Sequence, residues 1–352
     1  MFKVVSAAMR KVFCSSEKII LATLCFYFMA SYCHAQNKGG SNYRMMTYNV
    51  ENLFDCHHDS LKNDYEFLPD SARGWNECRL QRKIVDISRV IVNAGGFEPF
   101  ACIGLCEVEN RALLERMTNG PLKRFGYRVI HQDSPDKRGI DVALLYNPKI
   151  FKPLHTRFVK VAYPDEPEFT TRDILYCKAL LGKSDTLHIM MCHLPSQRAD
   201  NVNSSEKRQC AFSIIKLLTD SIIMANSCAN IIVMGDFNCP TSDRHYQKAL
   251  LNDGLLVDMM TKYDGTNTGT YCFKGIYSCI DHVLASLPMT TCENCGTLKL
   301  SSQNVEIFAQ DWMLDKPNKQ GVRYPYRTYR GTFYKGGVSD HLPVTLNIST
   351  RK

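Results

Sequence analysis

Seven short apolar runs recur along this chain, and each carries a chemically loaded residue at one end. "YRMMTYNVENLF" reaches Asn49 and Glu51, "FACIGLCEVEN" reaches Glu107 and Glu109, and "RGIDVALLY" starts with Asp141 near its head. "DTLHIMMCHLPS" runs into His193 and "NIIVMGDFN" into Asp236 and Asn238. "YSCIDHVLAS" presents Asp281 and His282, and "GGVSDHLPVTL" presents Asp340 and His341. Apolar runs this short, bounded by polar and turn-forming residues, read as strands. Between them, Leu80, Ile84, Ile87 and Ile91 are spaced for one face of a helix over Arg79–Asn93, with Gly95 and Gly96 as the stop. A second helix is expected over Glu206–Ala225, and the segments Asp55–Asn76 and Pro288–Lys335 read as long loops. Strands alternating with helices call for α/β layers, not an all-β or all-α fold. No Pro/Gly/Ser linker divides the pieces, so one domain is expected over residues 42–350.

The ends of the chain and its cysteines bound the setting. A basic segment ending at Lys18 precedes "IILATLCFYFMA", which is too short for the roughly 20 residues of a membrane span. With small residues at Cys33 and Ala35, residues 1–35 read as a signal peptide cleaved after Ala35, which implies export to a periplasm or the medium with no stable membrane anchor afterwards. The formal net charge is +8, of which about +3 belongs to this leader, and the remainder tolerates a polyanionic partner without demonstrating one. Of 16 cysteines, Cys102, Cys106 and Cys192 sit inside apolar runs, where cysteine acts as a small hydrophobe. Cys292 and Cys295 form a lone C-x-x-C with no second pair, which favours a loop disulfide or two free thiols over zinc.

Any one polar tip, taken alone, reads as an Asx turn, a solvated strand end or a satisfied core histidine. Seven at the same kind of position read together as a site borne on loops and held by a rigid sheet. The ordered set "TYNVENLFD", "IGLCEVEN", "RGIDVALLY", "HLPS", "MGDFN", "IDHVLAS" and "SDHLPV" resembles the endonuclease/exonuclease/phosphatase superfamily, over about Tyr43 to Thr345. That superfamily includes deoxyribonuclease I, the abasic-site endonucleases, inositol-polyphosphate 5-phosphatases and neutral sphingomyelinases. The resemblance implies a four-layered α/β/β/α sandwich of deoxyribonuclease I type, with the active site on loops at one edge of the paired sheets.

The resemblance also assigns expected roles. Glu107 matches the metal-binding glutamate, with Asn49 and Asp340 as further metal ligands or their neighbours, and the cation implied is Mg²⁺, with Mn²⁺ or Ca²⁺ as alternatives. Asp236 matches the residue that orients or deprotonates water, Asn238 a donor to a phosphoryl oxygen, and His341 the phosphate-contacting histidine oriented by Asp281. His193 stands where deoxyribonuclease I carries a histidine and the abasic-site enzymes a tyrosine, and Asp141 matches the acid that orients it. Two carboxylate–imidazole dyads are therefore expected, Asp141–His193 and Asp281–His341. His282 is expected to point away from Asp281, as strand neighbours do, while Glu51 and Glu109 share the expected faces of Asn49 and Glu107.

Between Ala285 and Gly336, arginines and tyrosines interleave, which suits phosphate contacts from Arg327 and Arg330 beside stacked bases. The expected activity is metal-dependent phosphodiester hydrolysis of endonuclease type on nucleic acid. The alternative keeps the same site but acts on a phospholipid or a sugar or inositol phosphate. The complete polar set argues against a binding protein that has lost catalysis.

Overall fold

Period-two alternation sorts the side chains of each strand between two different cores. The computed structural model describes residues 41–351 apart from 164, 165, 167, 197–202 and 292–294; the leader expected over 1–35 and Cys292 lie outside the described residues. Asn42–Arg351 form one compact unit. The first sheet contains β1 (Asn42–Leu53), β2 (Cys102–Val108), β3 (Arg128–His131), β4 (Asp141–Tyr146), β13 (Leu298–Lys299), β14 (Val305–Ile307) and β17 (Val344–Thr350). Its order is β13-β17-β1-β2-β4-β3, with β14 paired beside β17. The second sheet runs β5-β6-β7-β8-β12-β9. Its strands are β5 (Phe151–Val159), β6 (Ile174–Leu181), β7 (Asp185–His193), β8 (Asn230–Asp236), β9 (Leu256–Asp258) and β12 (Asp281–Ser286). Two hairpins stand apart, β10 (Tyr271–Phe273) with β11 (Ile276–Ser278), and β15 (Tyr329–Arg330) with β16 (Phe333–Tyr334).

Met45, Cys102, Cys106, Val142, Leu144, Val344 and Leu346 of the first sheet meet Cys177, Ile189, Met191, Ile232, Met234 and Val283 of the second in one buried core. The intervening residues Met46, Tyr48, Ile103, Leu105, Ala143 and Leu145 point outward and bury against α1 (Glu77–Ala94) and α2 (Arg111–Asn119). On the far side, Met190, Cys192, Ile231, Val233 and Leu284 bury against α3 (Ser204–Ala225). The result is the four-layered α/β/β/α sandwich. Close approach of the sheets requires Gly104, where a Cβ would sit 3.1 Å from the terminal carbons of both Met191 and Met234.

The parallel pairs β1/β2 and β7/β8 each need a crossover, supplied by α1 and α3. Helix α1 starts where the Asn76 side chain accepts a hydrogen bond from the Arg79 N–H, and ends at Gly95. The segment read as a loop over Pro288–Lys335 instead contributes β13 and β14, which cover an edge of the first sheet, and the β15–β16 hairpin. Cys295 forms a disulfide with Cys228, joining the segment after β12 to the end of α3. Among the described residues, no helix is long and apolar enough to cross a membrane.

Candidate active site

The polar ends of both sheets meet at one edge of the sandwich. In register, His193 ends β7 opposite Asp236 at the end of β8, and Asp236 is in turn opposite Asp281 at the start of β12. The first sheet brings Asn49 beside this group from β1, its Nδ2 donating to Asp236 Oδ2 at 2.9 Å. That same Asp236 Oδ2 lies 3.6 Å from His193 Nε2 and 3.8 Å from His341 Nε2. The opposite ring nitrogen of His341, Nδ1, is 2.7 Å from Asp281 Oδ2. Glu107 Oε1 stands 3.9 Å from His193 Nε2. Above them opens a cleft of about 640 Å³, lined by Glu107, Arg138, His193, Asp236, Asn238 and His341 among others.

Backbone geometry accounts for this convergence. Glu51, Asn52, Glu107 and Asn238 all adopt positive φ, between 51° and 65°, a region costly for residues with a Cβ and concentrated at functional sites. The β1/β2 register shifts between Asn49 and Leu53, and the β2/β4 register between Cys106 and Val108. These bulges turn Glu107 into the cleft, where its Oε2 accepts from the Asn52 N–H at 2.8 Å. They also break the alternation that places Glu109 on the face of Glu107. Glu109 instead accepts from the Asp55 N–H, with its carboxyl pushed up to about 8 by burial.

Charge is densely packed here. Burial, and then the neighbouring Asp281 charge, push the Asp236 carboxyl up to about 7, although His341 pulls against them. Burial opposes the charge on His341, but the Asp281 and Asp236 carboxylates outweigh it and raise the imidazole well above its ordinary value. A carboxylate that exchanges its proton near neutrality beside an imidazole held in its charged form suits proton transfer.

A model of the Endonuclease/Exonuclease/phosphatase family matches residues 44–350 of this chain. The chain belongs to the endonuclease/exonuclease/phosphatase family. No curated protein matches the sequence. Among solved structures, an endonuclease/exonuclease/phosphatase family protein from Bacteroides thetaiotaomicron is 17% identical with TM-score 0.55, covering 88% of this chain and 98% of its own. TDP2 from D. rerio, complexed with a single strand DNA product, is 14% identical with TM-score 0.54, covering 88% and 100%. A mannosyl-6-phosphatase from Bacteroides thetaiotaomicron is 17% identical with TM-score 0.53, covering 87% and 99%. At these identities the likeness shows the shared fold.

Within this family member, several expected roles are redrawn. Asp141 does not join His193. Its Oδ1 accepts from the Ser134 N–H at 2.9 Å and its Oδ2 lies 3.5 Å from His131 Nε2; among the described residues, no hydrogen bond or ion pair links it to His193. Its carboxylate is held instead at the foot of the β3–β4 loop, between Ser134 and His131. Asn49 is 1% exposed, its Nδ2 donating to Asp236 and its Oδ1 accepting from the Glu51 N–H, so it positions Asp236. Asn238 gives one amide hydrogen to the Leu194 carbonyl at 2.9 Å while lining the cleft.

Arg327, 42% exposed at its side chain, is engaged within the protein. Its guanidinium lies between Glu51 Oε1 at 3.1 Å and Asp340 Oδ2 at 2.8 Å, because two buried-edge carboxylates demand a counter-charge. Burial and repulsion from Asp340 still push the Glu51 carboxyl up to about 7. Arg330 is exposed on a hairpin whose Tyr329 packs toward Trp75, and it is absent from the cleft lining. His282 faces away from Asp281, its Nδ1 2.9 Å from Asp258 Oδ2 and its Nε2 2.9 Å from the Cys239 carbonyl.

Three participants were missed by sequence reasoning. Arg138 lines the cleft and donates to Asn52 Oδ1 at 2.7 Å; its signal was a cation at the mouth of the "GIDVALLY" strand, the same position type as the other tips. Ser339 ties the last motif to the first, its Oγ donating to the Asn49 carbonyl and accepting from the His341 N–H. The Tyr271 ring packs tilted against His341, centroids 5.0 Å apart, from a hairpin with no sequence motif.

The donor set fits a hard cation. Glu107 and Asp340 both line the cleft with carboxylate oxygens, and an excess of buried acid surrounds them. Asp236, Asp281 and His341 also lie within ligand distance of one another. Hydrogen bonds among them, from Asn49 and from the Asn238 N–H hold these atoms in place.

Proposed function

We propose that this protein is a metal-dependent phosphodiester hydrolase of endonuclease type acting on nucleic acid. The observation that carries the reading is a single carboxylate oxygen, Asp236 Oδ2, within 4 Å of two imidazole nitrogens at the floor of an open cleft. A phosphoryl group seated there meets the charged His341, whose attraction grows as negative charge builds on the phosphoryl oxygens. Asp236 accepts the proton of the attacking water, and Asn49 and the Asn238 N–H hold its carboxylate in place. His193 supplies a proton to the departing oxygen. Glu107 and Asp340 would hold the divalent cation, Mg²⁺ in this reading, which would supply charge neutralisation to the phosphoryl oxygens.

The cleft rim supports a nucleic-acid substrate. Phe273 is 61% exposed beside Tyr271, giving a face on which bases stack, and Arg138 offers a cation for an adjoining phosphate. The structural likeness to TDP2 holding single strand DNA supports the same reading. The second reading, a phosphatase acting on a sugar phosphate, is favoured by the likeness to a mannosyl-6-phosphatase and by a cleft volume within the range of small-ligand sites.

Purified protein, assayed with Mg²⁺, Mn²⁺ or Ca²⁺, separates the two. The substrates are single-stranded DNA, RNA, bis-p-nitrophenyl phosphate, p-nitrophenyl phosphate, sugar and inositol phosphates and sphingomyelin. Cleavage of nucleic acid and the synthetic diester, abolished in His341→Ala and by chelation, is the expected result. Turnover confined to monoesters or lipid refutes the nuclease reading, and no turnover of any ester refutes hydrolysis itself.

A further inference from the structure

The loop between β3 and β4 leaves from His131 and returns at Asp141, so these two residues stand at its two ends. His131 Nε2 lies 3.5 Å from Asp141 Oδ2, and its Nδ1 lies 3.8 Å from Asp133 Oδ1 within the loop. One ligand atom from each of these three residues falls within 4.8 Å of the others. The His131 side chain is only 1% exposed, yet its Nε2 has no hydrogen-bond partner. The distance to Asp141 exceeds the roughly 2.7–3.2 Å of an N–H···O bond. It is close to the ~3.3 Å edge of a tetrahedron built from metal bonds of about 2.0–2.2 Å.

Two carboxylates thus gather near one imidazole whose buried Nε2 is unsatisfied. Buried polar atoms in that state call for a bound ion or water. None of these residues lines the catalytic cleft.

We propose that His131, Asp133 and Asp141 form a second divalent-cation site, separate from the Glu107–Asp340 pair and suited to a first-row ion such as Zn²⁺. One imidazole with carboxylates is a borderline donor set, unlike the all-oxygen catalytic pair. The ion braces the loop by joining its two ends. That loop carries Arg138 into the cleft and Asp136 to Arg172 at 3.1 Å, and Arg172 donates to the backbone carbonyls of His193 and Leu194.

The test is calorimetric titration of Zn²⁺ alone into the full chain, after dialysis against a chelator, in a Glu107→Gln background that weakens the catalytic site. One equivalent is expected to bind, at least tenfold more weakly after Asp133→Asn and not at all after His131→Ala. Asp133 is 75% exposed at its side chain, so that variant removes a ligand without disturbing a core. Co²⁺ bound in the same background is expected to show visible absorption bands that Asp141→Asn removes. Absence of Zn²⁺ binding in the Glu107→Gln protein overturns the proposal, as does binding that neither Asp133→Asn nor Asp141→Asn changes.

Discussion

Gly235→Ala probes whether the placement of two strands, and not merely their residues, makes the site. Gly235 precedes Asp236, has φ of +135° and is paired with Cys192, which precedes His193. A Cβ added there would overlap the Cys192 carbonyl oxygen and stand 2.9 Å from its carbonyl carbon. Carbon contacts are comfortable at roughly 3.5–4.0 Å and the overlapped oxygen sits nearer still, so β7 and β8 must part by about 1 Å or more. Displacement near 1 Å at reacting groups costs on the order of 10²-fold in rate. Overpacking adds about 1–3 kcal/mol of destabilisation and alanine at this φ a further ~1–3 kcal/mol. We therefore expect kcat/KM on bis-p-nitrophenyl phosphate to fall on the order of 100-fold, with a clear drop in Tm. The control is Gly265→Ala, at φ +69° with nothing near its Cβ, which should cost about 1 kcal/mol and leave activity intact. A Gly235→Ala protein with wild-type Tm and kcat/KM within about threefold, against the ~100-fold expectation, would refute the reasoning.

Other perturbations separate the roles of neighbouring groups. The charged form of His341 is fully present below the ordinary histidine value of about 6.5 and is lost as pH rises through its raised value. In Asp281→Asn the alkaline limb of the kcat/KM profile should move down by roughly 1–3 pH units, and an unchanged limb contradicts the dyad. Arg327→Ala should lower Tm and kcat by removing the counter-charge of Glu51 and Asp340, at a cost near the low end of about 1–3 kcal/mol because the guanidinium is partly exposed. Arg138→Ala should instead raise KM several-fold with Tm little changed, as substrate-dependence curves and thermal melts will show. Reducing the Cys228–Cys295 bond, which spans 67 residues, should lower unfolding stability by about 4 kcal/mol in urea titrations, with the active site unaffected. We also propose export, for which N-terminal sequencing of protein recovered outside the cytoplasm should begin at Gln36.

The α/β class was legible from strands alternating with helices, and the four layers only through the family resemblance; the faces follow from local alternation. Met45 and Met46, or Cys192 and His193, declare opposite faces through their spacing alone, and helix α1 announces itself through Leu80, Ile84, Ile87 and Ile91. Short edge strands such as β13 and β14 carried no such signal, since two or three residues hold no period and their pairing comes from β17. Glu107 and Glu109 show where the local rule fails: one residue at positive φ re-aims the strand end, and no spacing rule reports it.

The order of the motifs pointed to the family, through that resemblance to the layered architecture, and to a pool of acids, amides and imidazoles at strand ends. Tertiary structure alone decided the partners: His341 with Asp281, Asp141 with His131, and Arg327 between Glu51 and Asp340. The physical reason is that periodicity fixes the face on which a side chain emerges. Hydrogen-bond and charge pairing depend instead on which strand lies across from it and on bulges of an ångström or so. Glu51 and Arg327, 276 positions apart in the chain, meet only because the segment ahead of the β15–β16 hairpin folds back over the end of β1.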